Sequence, residues 1–246
     1  MDPKGPQYEL ISTGVLPAYD TTGARFVTTA LGDNNGSTLM LTENGKPARP
    51  ILDRKHELII GPQWSPSGDA ILFGIGQFSA FLDFAVGAEK PVDPVNGGAQ
   101  IASLKPDGNG LRIMNLENHS ISVLTNDYDN FCVWSPRGDL IAFVRRIAGD
   151  FEVFSIRPDG TNLRRLTNSK GNEAHLAFSP DGEKILFSST RMGFKDETLY
   201  TLAPQPYGEL FVMRYDGTQV EQLTDNQWED AGPSWQPRKQ NATGQK

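Results

Sequence analysis

A single cysteine, Cys132, is all the chain carries. That excludes an internal disulfide, and the apolar neighbours Phe131 and Val133 make a buried, inert thiol the expectation. Histidine is nearly as scarce, and His56, His119 and His175 are too scattered to give a zinc-ligand spacing. Basic residues are in the minority, 23 Lys and Arg against 30 Asp and Glu. The net charge of −7 argues against nucleic acid and against an anionic membrane as partners, because both need basic surface. The longest apolar run, residues 78–86, is interrupted by Asp83 and is far short of a membrane span. The first residues, Met1 to Pro6, have neither the basic start nor the apolar run of a secretory signal, so a cytoplasmic location is expected. Missing too are the GxSxG elbow, the P-loop, a complete dinucleotide fingerprint and HExxH. With these absences go the expectations of no cofactor and no bound metal.

What the chain has in quantity is turn formers, 25 Gly and 17 Pro, beside 37% hydrophobic residues. That composition suits many short strands in one domain, residues 1–246. Its organising stretch runs from Trp134-Ser135-Pro136-Arg137-Gly138 through Leu140–Val144, Glu152–Ile156 and Pro158-Asp159-Gly160 to Leu163–Thr167. Proline presets φ and glycine accepts the positive φ that closes a turn, so the stretch reads as four short antiparallel strands joined by tight turns. The motif recurs at Trp64-Ser65-Pro66-Ser67-Gly68 and at Phe178-Ser179-Pro180-Asp181-Gly182, with further turns at Asp107-Gly108 and Asp216-Gly217. Four strands repeating about every forty residues make a blade of a β-propeller, an all-β fold.

These WSPxG and PDGxxLxxLT patterns resemble the TolB-like propeller repeat over nearly the whole chain. The resemblance implies six blades as the usual number. Here four are recognisable, with a degenerate or composite fifth. The residues between Trp64 and Trp134 hold one WSPxG but two candidate third strands, 100–105 and 111–116; an inserted hairpin and a lost half-blade both fit, and the family pattern favours loss. Residues 8–12 read as a last strand and residues 229–237 as a lone first strand, which predicts a ring closed by the two ends.

Two insertions, residues 74–98 and 191–208, fall between second and third strands and so crowd one rim of the channel. They carry Phe78, Phe81 and Phe194, which either pack together as a satellite core or form an aromatic lid over an apolar ligand. Five residues before Trp134, Phe178 and Trp235 stand Asp129, Glu173 and Asp230, three acids at one repeat position that either hold loops or bind a cation. His56, Tyr128, His175 and Trp228 are placed in the blade-to-blade loops, and Arg145 and Arg191 follow second strands toward the same rim.

Two functions compete. In the leading one, an aromatic-lidded pocket binds an apolar small molecule and promotes its cyclisation or cycloaddition by orientation, without a cofactor. His175, Tyr128 and Arg191 would polarise a carbonyl, with Phe78, Phe81, Phe194, His56, Trp228 and Arg145 as substrate contacts. The alternative, implied by the TolB-like resemblance, is a non-catalytic scaffold for a protein partner, which in bacterial envelopes is periplasmic and serves envelope integrity.

Overall fold

Every SPxG or DG turn described closes a hairpin, and the hairpins assemble into four-stranded antiparallel blades. The computed structural model describes residues 14–32, 36–44, 46–76, 109–147, 150–193 and 208–236. The first blade comprises β1 (Val15–Tyr19), β2 (Arg25–Leu31), β3 (Ser37–Glu43) and β4 (Arg49–Arg54). The second comprises β5 (Leu58–Trp64), β6 (Ala70–Gly76), β7 (Gly110–Asn115) and β8 (Ile121–Val123). The third runs through β9 (Asp129–Trp134), β10 (Ile141–Ile147), β11 (Asp150–Ile156) and β12 (Arg164–Arg165), and the fourth through β13 (Glu173–Phe178), β14 (Lys184–Ser189), β15 (Glu209–Arg214) and β16 (Glu221–Gln222). Each blade is a simple meander, and the first strands β1, β5, β9 and β13 pack beside one another around the axis.

The serine of each turn explains its place in the motif. Ser65 Oγ accepts the Ala70 amide at 3.0 Å and donates to Asp69 at 2.8 Å, while the Gly68 amide closes on the Ser65 carbonyl at 2.9 Å with Gly68 at φ 74°. Ser135 and Ser179 repeat the backbone closure. In the first blade Asp20 replaces the serine, and its carboxylate accepts from Thr22, from the Ala24 amide and from the Arg25 guanidinium. The degenerate turn at Pro17–Gly23 therefore keeps its geometry with a different acceptor.

The cores lie between blades. Val27, Leu39, Ile59 and Phe73 fill the space between the first two, Leu72, Leu111, Ile141 and Phe143 the next, and Val144, Val153, Ile185 and Phe187 the last. Phe73, Phe143 and Phe187 occupy the same repeat position and are all fully buried, each contributing about 2–3 kcal/mol by transfer from water.

Pairing decides one sequence expectation and bears on a second. β7 pairs directly with β6, from Ala70 opposite Asn115 to Ile75 opposite Gly110. Residues 111–116 therefore supply the third strand of the Trp64 blade and do not begin another; the candidate strand 100–105 lies outside the described residues. At the C-terminal end, Asp230 bridges to Gly208 and Trp235 Nε1 donates to the Ala177 carbonyl at 3.0 Å. Trp64 makes the same bond to Ala18 at 2.9 Å, so residues 229–236 sit beside the fourth blade as a first strand sits beside the blade before it. The complementary strand expected at 8–12 lies outside the described residues.

Candidate functional site

Each first strand carries a β-bulge, and the bulges build the channel. The ladder register breaks between Val15 and Ala18, Ile60 and Gln63, Asn130 and Val133, and Ala174 and Ala177. At every break one residue is left-handed: Leu16 (φ 55°), Gly61 (53°), Phe131 (47°) and His175 (52°), and Gly232 (59°) continues the series in the C-terminal segment. All five lie three residues before the aromatic that ends the strand, namely Tyr19, Trp64, Trp134, Phe178 and Trp235. A bulge turns its extra residue out of the ladder, and here all five line one cavity of about 280 Å³, together with Pro17, Pro62, Gln63 and Pro233.

The cavity wall is neutral. His175 lies inside β13, not in a loop as its sequence position implied. Its ring packs on Phe131 at 4.8 Å between centroids, and its Nδ1 is 3.0 Å from Ser188 Oγ, which donates to the Ala174 carbonyl. Burial pushes its imidazole down to about 4, so it is uncharged at neutral pH. Cys132 also lines the cavity; burial pushes its thiol up to about 12, as an inert thiol requires.

The acids of the repeat are tied up within their own blades. Asp129, the first residue of β9, takes a bidentate pair from Arg145 of β10 at 2.7 and 2.8 Å. Burial raises its carboxyl against the pull of that guanidinium. Arg145 lies over Phe143 and Phe154, at 5.4 and 5.2 Å from their ring centroids, and also reaches Asp127 at 3.0 Å. The fourth blade repeats the arrangement. Glu173 opens β13 and accepts from Ser169 and, at 2.7 Å, from Arg191, whose guanidinium lies over Phe187 and Phe211 at 5.4 and 4.5 Å. Burial raises the Glu173 carboxyl as well. Asp230 differs: it is only partly buried and accepts from Asn226 at 2.8 Å.

The remaining sequence candidates are spread out. Tyr128 packs against the core shared by the third and fourth blades and lines a small pocket with Ile60, Ile75 and Asn109 of the second. His56 is exposed between β4 and β5, and Trp228 is exposed after β16. Phe78, Phe81 and Phe194 lie outside the described residues. The structure thus brings His175 to the channel wall and places Arg145 and Arg191 in ion pairs within their blades. The channel residues Leu16, Gly61, Phe131 and Gly232 were missed by sequence reasoning. Counting back three from each strand-ending aromatic finds them, but only once the bulge is known. Among the described residues no three His, Cys, Asp or Glu side chains are grouped to hold a metal ion, and no helix is long and apolar enough to cross a membrane.

No family model matches the chain. It is 36% identical over 85 residues to a TolB homologue of Chlorobium luteolum, covering 34% of this chain and 19% of the relative. With the Tol-Pal system protein TolB of Geobacter sulfurreducens it is 34% identical over 94 residues, covering 38% of this chain and 18% of that protein. The chain thus spans less than a fifth of either relative. Among solved structures it superposes on a putative TolB from Agrobacterium tumefaciens with a TM-score of 0.61 at 18% identity, over 87% of this chain and 65% of the other. By the sequence of its repeats and by its fold, the chain is similar to TolB-like β-propellers.

Proposed function

We propose that this propeller is a non-catalytic scaffold that binds another protein at the rim carrying the blade-to-blade and second-to-third-strand loops. The observation that carries this reading is the engagement of the strong polar groups behind that rim. Asp129 is paired with Arg145 through both carboxylate oxygens and Glu173 with Arg191 through Oε1, and those guanidiniums lie over phenylalanine rings, so the four act as internal struts. A reaction that polarises a carbonyl needs a donor whose bonds strengthen at the reacting atom, and Arg191 turns its Nε to Ser189 and its Nη2 to Glu173 within its own blade.

The rim also presents apolar side chains to solvent. Leu31 ends β2, Met192 follows β14 and Trp228 follows β16, with 58%, 59% and 61% of their surfaces exposed. Connectivity puts all three on one face, and exposed aromatic and Met side chains are enriched where proteins meet. The Geobacter relative is named as part of a Tol-Pal system, and a part of a system works through other parts. The cyclisation reading rests on an aromatic lid formed by Phe78, Phe81 and Phe194, and no comparison bears on such a pocket.

The test is quantitative affinity capture from both cytoplasmic and envelope extracts. The wild-type chain retains one protein in a fixed stoichiometric ratio, and Trp228→Ser combined with Met192→Ser lowers the retained amount about tenfold or more. Equal retention by both chains, or no stoichiometric protein, overturns the proposal.

A further inference from the structure

Sulfur enters the chain as five methionines and Cys132, and the fold treats these atoms very differently. Met1 lies outside the described residues. Met114 of β7 and Met213 of β15 are each 1% exposed in the cores between blades, and Met40 of β3 is half-buried. Cys132 is buried too, and its raised thiol supplies no thiolate at neutral pH for an oxidant to meet. Met192, at 59% exposed, is the one methionine among the described residues that stands in solvent. Oxidation of sulfur follows access, so the fold singles out this thioether.

A fixed turn presents it. The Gly193 amide closes on the Thr190 carbonyl at 2.8 Å, which makes Met192 the third of four residues in a β-turn. The Thr190 amide donates to the Asn172 carbonyl at 3.0 Å, and Thr190 Oγ1 accepts the Asn172 amide at 2.7 Å. Beside Met192, Arg191 is held by Nη2 on Glu173 at 2.7 Å and by Nε on Ser189 Oγ at 2.9 Å. The backbone under Met192 is thus tied to β14 and to the segment that leads into β13. Met192 belongs to none of the three cores between blades, so a change at its sulfur alters the surface and leaves the blades intact.

We infer that Met192 is an oxidation site that regulates the rim: a hydroperoxide converts its thioether to the sulfoxide, and the sulfoxide weakens protein binding there. This rests on the reading of the rim as a protein-binding surface. In the step, a sulfur lone pair attacks the terminal peroxide oxygen, the S–O bond forms and the O–O bond breaks. The leaving oxygen takes up a proton, so sulfur loses two electrons and hydrogen peroxide is reduced to water. The product replaces a flexible apolar side chain with a polar one. Docking against it has to strip water from a strong acceptor, which is unfavourable unless the partner supplies a donor. Reduction by two thiols of a methionine sulfoxide reductase returns the thioether, with water and a disulfide as products, so the change is reversible.

The full chain is treated with dilute hydrogen peroxide and followed by peptide mass spectrometry, and treated and untreated chains are compared in affinity capture. Met192 should gain one oxygen atom about tenfold or more faster than Met114 and Met213, with the melting temperature unaltered. Oxidation should lower the amount of retained protein about fivefold or more, and the reductase should restore it. Met192→Leu, which has no thioether, should retain equal amounts before and after peroxide. Oxidation of Met192 no faster than of Met114 and Met213 overturns the inference. So does unchanged retention by a chain oxidised at Met192, a loss that persists in Met192→Leu, or a loss that tracks a fall in melting temperature. If the untreated chain retains no protein in a fixed ratio, the rim reading itself falls and takes the inference with it, whatever the oxidation rates.

Discussion

Asp129 and Arg145 show how a residue that invites a catalytic reading serves as a strut. Removing one partner strands the other as a buried charge, whereas removing both removes the desolvation cost as well. Arg145→Met alone should therefore cost about 3–5 kcal/mol in urea unfolding, and Arg145→Met with Asp129→Leu should cost clearly less than the sum of the single changes. A cost near zero for the single change would place the pair outside the folding energetics. His175 predicts a pH dependence. In the unfolded chain its imidazole takes up a proton near pH 6.5, but in the folded chain burial delays this to about 4. The unfolded state binds more protons across that window, so stability is intact above about pH 6.5 and falls by roughly 3 kcal/mol as pH drops toward 4. His175→Asn keeps a residue that tolerates the left-handed backbone and should remove this part of the acid loss. Comparing urea midpoints of both chains at about pH 7.5 and 4.5 measures it.

At the scale of elements, turns were legible and bulges were not. Proline, glycine and the serine before them act locally, so their turns could be read directly, and Leu140–Val144 and Glu152–Ile156 fall on β10 and β11. The bulge arises from how a first strand meets its partner, and Leu16, Phe131 and His175 carry no local signal for φ near 50°. Hence His175 read as a loop residue, and the struts read as a row of acids facing a rim. Their arginines lie on another strand, and the pairing was invisible without the register of β9 on β10. Two glycines make the distinction measurable. Gly61 stands at the bulge with open space where a Cβ would go, whereas a Cβ on Gly110 would press on the Thr125 carbonyl. Gly61→Leu should cost about 1–2 kcal/mol, the price of a left-handed residue that Leu16 already occupies. Gly110→Ala should cost about 4 kcal/mol or more. Thermal melts of the two variants check the order, and the reverse order would contradict the bulge assignment.

For the whole molecule, the repeat is both scaffold and index. Phe73, Phe143 and Phe187 repeat because the interfaces between blades repeat. Two features stand out beside them: the channel lined at five bulges and the exposed rim of Leu31, Met192 and Trp228. The rim is the proposed surface of recognition, and the buried ion pairs behind it would serve rigidity. The most direct measurement of that division is native mass spectrometry of the chain isolated gently from the cells that make it. A scaffold arrives with one protein in a fixed ratio and with no organic molecule in the channel. A chain that arrives alone, carrying a bound organic molecule that it converts on incubation, would contradict the account.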